Sequence, residues 1–337
     1  MNESQSHKGV HVPPIKIAFF GTPEYAVPSL RSLHAGARYS ISLVVTQPDR
    51  PAGRRRQLTA SPVKIAAEEL GLHLYQPESL KSRESREPLV ASGADIFVVA
   101  AYGLIFGGKT LSIPKLGCVN LHASLLPKYR GASPVAAAIL AGAPETGVTL
   151  IVMDAGIDTG AVLDMTTVDV EPADTTTSLT RKLSVAGADL VVTRLADFVA
   201  GTLQPAPQPQ KGASLTRMLI KDDGRIDWSE PAEAIERRVR AMWAWPRAWT
   251  TIGETTLQVQ SVRVVEQGFG DEPGQVLTLS DQPVVVCGRG GLALDVVQAA
   301  GGKPIPGTAW LAGLRGALPR LGGGVEAVSR PPLTIDF

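Results

Sequence analysis

Gly117-Cys118-Val119-Asn120-Leu121-His122-Ala123-Ser124-Leu125-Leu126-Pro127-Lys128-Tyr129-Arg130-Gly131 begins as an apolar, strand-like run and ends by delivering an Asn, a His and a Ser into a loop. Alternate residues of a strand point to the same side, so Asn120 and His122 project together from one face while Leu121 points into whatever packs behind. That sets an amide donor beside a titratable imidazole. Taken alone, such a pair is more often a satisfied structural pair than a site, because paired histidines are frequently structural. The surrounding chain has to decide.

Upstream, short apolar runs alternate with helical patterns. Residues 15–20 read as a first buried strand closed by Gly21-Thr22-Pro23, and a helix over 26–34 follows. Residues 41–46 form a second strand. The segment 61–71 then carries a full set of helix signals, with Ser61 as N-cap, Pro62 at the first helical position and Gly71 beyond the end. A short strand near 73–75, a helix near 85–92 and a strand over 95–100 complete the approach. Downstream come a helix over 134–141, a strand over 147–153, a loop from Asp154 to Gly160 with two acids and two glycines, a strand over 161–168, and a long helix over 175–200 with Asp174 as its cap. Such alternation predicts an α/β fold with a parallel sheet covered by helices on both faces. Gly-Thr-Pro-Glu-Tyr lacks the second and third glycines that let backbone approach a pyrophosphate, which disfavours a nicotinamide dehydrogenase. The two carboxylates of the 154–160 loop are too few oxygen ligands for calcium, and a catalytic carboxylate is the more useful reading.

The chain has 337 residues, enough for two domains and a sizeable core. A formal charge of +1 excludes a global pull toward nucleic acid or membrane, so an anionic partner must be held by a local patch. The loop from Gln47 to Leu58 offers one, with Arg50, Arg54, Arg55 and Arg56 and no acid after Asp49. Either it is a solvated loop or its planar donor forks contact phosphate. Its prolines and glycine predict neither helix nor strand. Cys118 and Cys287 lie far apart in apolar contexts, as expected of buried free thiols in a reducing cytosol rather than of a disulfide or a metal site. Residues 1–14 read as a loose polar tail. The longest apolar run, near 94–106, is too short for a bilayer, so a cytoplasmic protein with no membrane partner is expected.

Together, G-T-P-E-Y at 21–25, Q-P-D-R-P-A-G-R at 47–54, S-P-V-K at 61–64, N-L-H-A-S-L-L-P-K-Y-R-G-A-S-P at 120–134 and M-D-A-G-I-D-T-G at 153–160 closely resemble the methionyl-tRNA formyltransferase family. The N-x-H-x-S-L-L-P motif with a later I-D-T-G is shared by formyltransferases and hydrolases that use 10-formyltetrahydrofolate. The arginine insertion and the downstream domain narrow the resemblance to the tRNA enzymes. It implies a Rossmann-like formyltransferase domain over residues 15–203, a linker over 204–220 rich in Pro and Gln, and a smaller OB-fold-type β-barrel domain for tRNA over 221–337. The implied activity is transfer of a formyl group from 10-formyltetrahydrofolate to initiator methionyl-tRNA, with no metal; nothing in the sequence demands more than a monomer. The alternatives are a formyltransferase or deformylase acting on a small-molecule amine, and a non-catalytic RNA-binding protein on the same scaffold.

The resemblance also implies residue roles. Asn120, His122 and Asp158 form the catalytic set, with Asp158 close to His122. Ser124, Leu125, Leu126 and Pro127 contact the folate, and Arg54 leads Arg50, Arg55 and Arg56 in contacting the acceptor end of the tRNA. In the tail domain, short strands near 256–265, 274–279, 283–287 and 292–298 follow a helix over 232–241. Residues 221–337 hold 12 Lys+Arg against 14 Asp+Glu. A positive surface there must therefore be local, built from Arg237, Arg238, Arg240 and Arg247. Met218 stands where the resemblance implies a basic residue, with Arg217 beside it as the compensating cation. Trp243, Trp245 and Trp249 are expected in core or interface rather than as base-stacking platforms.

Overall fold

The computed structural model describes residues 13–52, 57–269, 272–322 and 330–336. The predicted alternation is present: β1 (Ile15–Gly21), α1 (Val27–Ala35), β2 (Tyr39–Val45), β3 (Arg50–Ala52), β4 (Gln57–Thr59), α2 (Pro62–Glu69), β5 (Leu74–Tyr75), α3 (Arg83–Ala91), β6 (Ile96–Ala100), α4 (Gly108–Leu111) and β7 (Cys118–His122). Then come β8 (Arg130–Gly131), α5 (Pro134–Leu140), β9 (Glu145–Val152), β10 (Val162–Asp169) and α6 (Thr176–Val199). The remainder is β11 (Ser214–Thr216), α7 (Ala232–Ala241), β12 (Ala248–Ile252), β13 (Thr255–Val265), β14 (Val276–Leu279), β15 (Gln282–Val286), β16 (Gly291–Ala299), β17 (Ile305–Pro306), α8 (Gly307–Gly313) and β18 (Thr334–Asp336). Two compact units interleave along the chain: one runs up to His122 and adds Thr149–Met165 and Ser184–Pro207, and the other holds Ala123–Val148, Thr166–Leu183 and the chain from Gln208 on.

The main sheet runs β10-β9-β7-β6-β1-β2-β5. β5, β2, β1, β6 and β7 are parallel, and β9 lies antiparallel to β7, so the sheet is mixed. β1 and β6 are buried on both faces, which is why they read as unbroken apolar runs. Phe20, Phe97, Tyr102 and Phe106 pack as tilted and edge-on aromatic pairs in the core beneath them. α2 begins as its signals predict: Ser61 Oγ accepts the Lys64 amide at 3.0 Å and Pro62 takes the first turn. At α6 the expected cap is displaced by one residue. Thr175 Oγ1 accepts the Ser178 amide, while Asp174 turns inward, 3% exposed, to bind Lys182 Nζ at 2.8 Å and the Ser178 hydroxyl. A buried carboxylate gains more from a cation than from an amide that a neighbouring hydroxyl also satisfies.

The second sheet is antiparallel, ordered β12-β13-β16-β15-β14 with β17 on β16. Its core gathers Trp228, Ile235, Val239, Leu257, Val285, Leu294 and Trp310. Between its edge strands β12 and β14 runs Pro319–Gly322, with Leu321 N on Gly274 O at 2.7 Å and Gly322 N on Thr251 O at 2.9 Å. The Gln204–Gln210 stretch is extended but tied down: Ala206 bridges Val162, and Gln208 Oε1 accepts both Nε and Nη2 of buried Arg130. Cys118 and Cys287 are buried and free, and burial pushes both thiols up to about 12, which keeps them protonated and inert. Among the described residues no helix is long and apolar enough to cross a membrane, and no group of three His, Cys, Asp or Glu is placed to hold a metal ion.

Candidate active site

β1 and β6 adjoin where the strand order reverses, with β2 and β5 on one side and β7 on the other. The crevice outside the carboxyl ends of the strands at such a switch point is where open α/β sheets bind ligands. β7 ends there with Asn120 and His122 on one face. Tyr25, in the short helical turn after β1, donates its hydroxyl to Leu121 O at 3.4 Å and pins the strand between the two residues. Gly21 is required for that turn, since a Cβ there would lie 2.6 Å from the Ala26 Cβ.

Asp158 faces both β7 side chains. Its Oδ1 accepts Asn120 Nδ2 at 3.3 Å, and its Oδ2 lies 3.3 Å from His122 Nδ1. The carboxylate fixes the Asn120 amide with nitrogen inward, because its oxygen would be repelled, and selects the His122 tautomer with Nδ1 protonated. His122 is 6% exposed and the Asp158 side chain 17%, so the contacts act in a partly dry environment where they are stronger than in water.

The loop that presents Asp158 is held by its own residues. Asp154 Oδ1 accepts the Gly156 amide at 2.9 Å and the Thr159 hydroxyl at 2.7 Å. A Cβ on Gly160 would lie 1.8 Å from Val152 O, so only glycine lets the loop return so close to β9. Asp158 itself sits at φ 53°, in the left-handed region that Asp tolerates better than most residues. Of the two acids in the loop, then, Asp154 ties the turn and Asp158 reaches the strand. The sequence pattern alone does not separate them.

Ser124 is fully buried and donates its hydroxyl to Lys128 O at 2.6 Å, closing the turn. Leu126 is also buried, and Leu125 and Pro127 keep partial exposure. Arg50 is exposed, 3.7 Å from Glu78. Arg54, Arg55 and Arg56 lie outside the described residues. The loop expected to lack regular structure contains the β3–β4 hairpin, with Pro51 opposite Leu58, because a proline fits a two-stranded edge. Its base is anchored by residues that sequence reading did not single out. The Asp49 carboxylate accepts Lys64 Nζ at 2.6 Å and Gln76 Nε2 at 2.9 Å, and these bonds hold it below the usual carboxylate range. Gln47 Nε2 in turn donates to Tyr102 O after β6 at 2.9 Å.

The tail unit departs from several expectations. Arg217 does not stand in for Met218: it forks onto Asp223 at 2.7 and 2.8 Å and binds Pro331 O, while Met218 is 74% exposed. Burial alone would push Asp223 up, but Arg217 and the Ile220 amide outweigh it and hold the carboxyl below its ordinary value. Arg238 is neutralised by Glu230 and Arg240 by Glu236, while Arg237 bonds Leu140 O. Of the three tryptophans expected in core or interface, Trp243 and Trp249 are half-buried and Trp245 is exposed; Trp228 and Trp310 are the buried ones, at 4% and 8% exposure. Those two belong to the apolar core cluster of the second sheet, whereas the others flank a turn whose one charged residue is Arg247.

Residues 15–195 match the family model described as formyl transferase, and residues 218–315 the model of its C-terminal domain. The fold agrees: a crystal structure of the N-formyltransferase from Helicobacter canadensis, in complex with folinic acid and dTDP-3-aminofucose, superposes with a TM-score of 0.62 at 18% identity, covering 83% of this chain and 98% of that one. Two sequence relatives are nearer. The methionyl-tRNA formyltransferase of Roseiflexus sp. (strain RS-1) is 46% identical over 90% of this chain and 93% of its own, and that of Thiobacillus denitrificans is 46% identical over 89% and 96%. The chain belongs to the formyl transferase family and, within it, to the methionyl-tRNA formyltransferases.

Proposed function

We propose that this chain transfers the formyl group of 10-formyltetrahydrofolate to the α-amino nitrogen of methionine on initiator methionyl-tRNA, the modification that marks the initiator for translation. The observation that carries the chemistry is the single carboxylate of Asp158 bonded to both Asn120 and His122. Attack of the amine on the formyl carbon forms the new C–N bond and moves the carbonyl electron pair onto oxygen. Collapse breaks the bond to the folate nitrogen. Asn120 has a second amide N–H beyond the one given to Asp158, and it donates to the developing oxyanion. With His122 Nδ1 held by Asp158, Nε2 accepts the proton of the attacking amine and returns it to the folate nitrogen as that leaves. Asp158 orients both groups.

The remaining assignments belong to the same reading. The turn from Ser124 to Pro127 forms one wall for the folate, through the main chain and the part-exposed Leu125 and Pro127. Arg54, with Arg50, Arg55 and Arg56, contacts the acceptor end of the tRNA. Residues 15–203 carry the chemistry, 204–220 connect, and 221–337 bind RNA, in a cytoplasmic monomer that uses no metal. The test is transfer of labelled formyl to charged initiator methionyl-tRNA, compared with elongator methionyl-tRNA and with small amines. Preference for the initiator supports the reading. Transfer to a small amine or release of free formate, without transfer to the tRNA, overturns it in favour of metabolite chemistry.

A further inference from the structure

We infer that the turn from Trp243 to Trp249, with Lys221 beside it, is a stacking platform for unpaired nucleotides of the RNA substrate. Trp245 is 54% exposed, unusual for the side chain with most to gain from burial. The Arg247 guanidinium lies 5.0 Å from the centroid of the Trp243 ring, and Lys221 Nζ lies 6.0 Å from that of Trp249, whose indole N–H donates to Lys221 O at 3.2 Å. Among the described residues neither Arg247 nor Lys221 pairs with a carboxylate, in contrast to Arg217, Arg238 and Arg240. These two cations remain available to phosphate while keeping the indoles beside them in place.

The turn is held in a conformation that folding alone does not favour. Arg247 sits at φ 74°, a costly region for a long side chain. It is locked there by its amide on Met242 O at 2.9 Å and by Gly224, where a Cβ would lie 1.9 Å from Arg247 O. Ala244 N further contacts the Thr176 hydroxyl at the start of α6. One exposed indole, Trp245, between two half-buried ones, with Arg247 and Lys221 beside them and paired to no carboxylate among the described residues, suits a single-stranded polyanion with π faces; a duplex hides its bases from such a surface.

This platform rests on the tRNA reading, and its test separates the two. Fluorescence titration of the full chain with a short single-stranded RNA should quench tryptophan emission more than an RNA duplex of equal phosphate count, and Trp245→Phe should remove much of that quench. Trp245→Ala should raise the KM for charged tRNA on the order of tenfold, the size expected from one lost stack, with the loss falling on KM and not on kcat. Trp245→Phe should restore most of the affinity. Unchanged KM and RNA affinity in Trp245→Ala, equal quenching by duplex, or a Trp245-dependent dimer in sedimentation would each overturn the platform. Wild-type chain that binds RNA through Trp245 yet fails to formylate methionyl-tRNA would instead sink the functional reading and leave the platform standing.

Discussion

The end of β7 and the segment from Arg217 to Trp249 handle charge in opposite ways. At β7 one carboxylate serves two partners, each 3.3 Å away, and all three side chains are largely enclosed. In the tail segment acids pair with Arg217, Arg238 and Arg240, while Arg247 and Lys221 rest against indoles. Proton transfer needs a charge held still where water cannot dilute its field. Holding a polyanion needs charges whose partner is the ligand and not the fold. The same residue types therefore carry different meanings in the two places, and counting them is uninformative.

The largest effect should come from separating Asp158 from its partners. Asp158→Ala should lower single-turnover formyl transfer by roughly a hundredfold or more at saturating folate and tRNA, as should Asn120→Ala and His122→Ala. The Asn120→Ala, Asp158→Ala double variant should be little worse than the more damaging single one, because the three act as a unit. Near-normal turnover in folded single variants would break the contrast outright. Next comes Gly160→Ala, which drives the loop away from β9 and displaces Asp158; a fall of up to roughly a hundredfold in kcat with a lower melting temperature is expected. Wild-type kcat in that variant would mean that the loop tolerates movement.

On the recognition side, Arg54→Ala should weaken tRNA binding by about tenfold and shift the log K against log salt slope by about one, with kcat preserved. An unchanged slope would remove the arginine loop from the interface. The smallest effect concerns the Arg217–Asp223 pair. Its folded carboxyl value is depressed, so the stability it supplies is present above the unfolded value, near about 4, and is lost as pH falls through the folded value. Melting temperature should fall on acidification below about pH 4 more steeply for the wild type than for Asp223→Asn. Parallel curves would show that the pair contributes nothing to folding.

Much of this was legible in the sequence where local rules decide. The Ser61-Pro62 start of α2, the bounds of α7 after Pro231 and the shared face of Asn120 and His122 follow from capping, helix chemistry and strand alternation. What was not legible depends on contacts distant in sequence. Spacing and residue type leave Asp154 and Asp158 equivalent; the resemblance picks Asp158, and the closure of the loop on β9 gives the physical reason. Asp174 resembles a cap until Lys182, two turns on, faces it in a buried setting. Trp228 is buried and Trp245 exposed, and no local periodicity encodes that difference.

The Pro319–Gly322 bridge also bears on solubility. A row of unpaired amides and carbonyls on a sheet edge is a template for other chains, and here one short segment bonds both Thr251 of β12 and Val276 at the start of β14. A chain shortened to end before Pro319 loses the contact at both edges at once. Its defect should therefore appear first as concentration-dependent aggregation by light scattering, before any change in the formyl transfer of the chain that stays in solution.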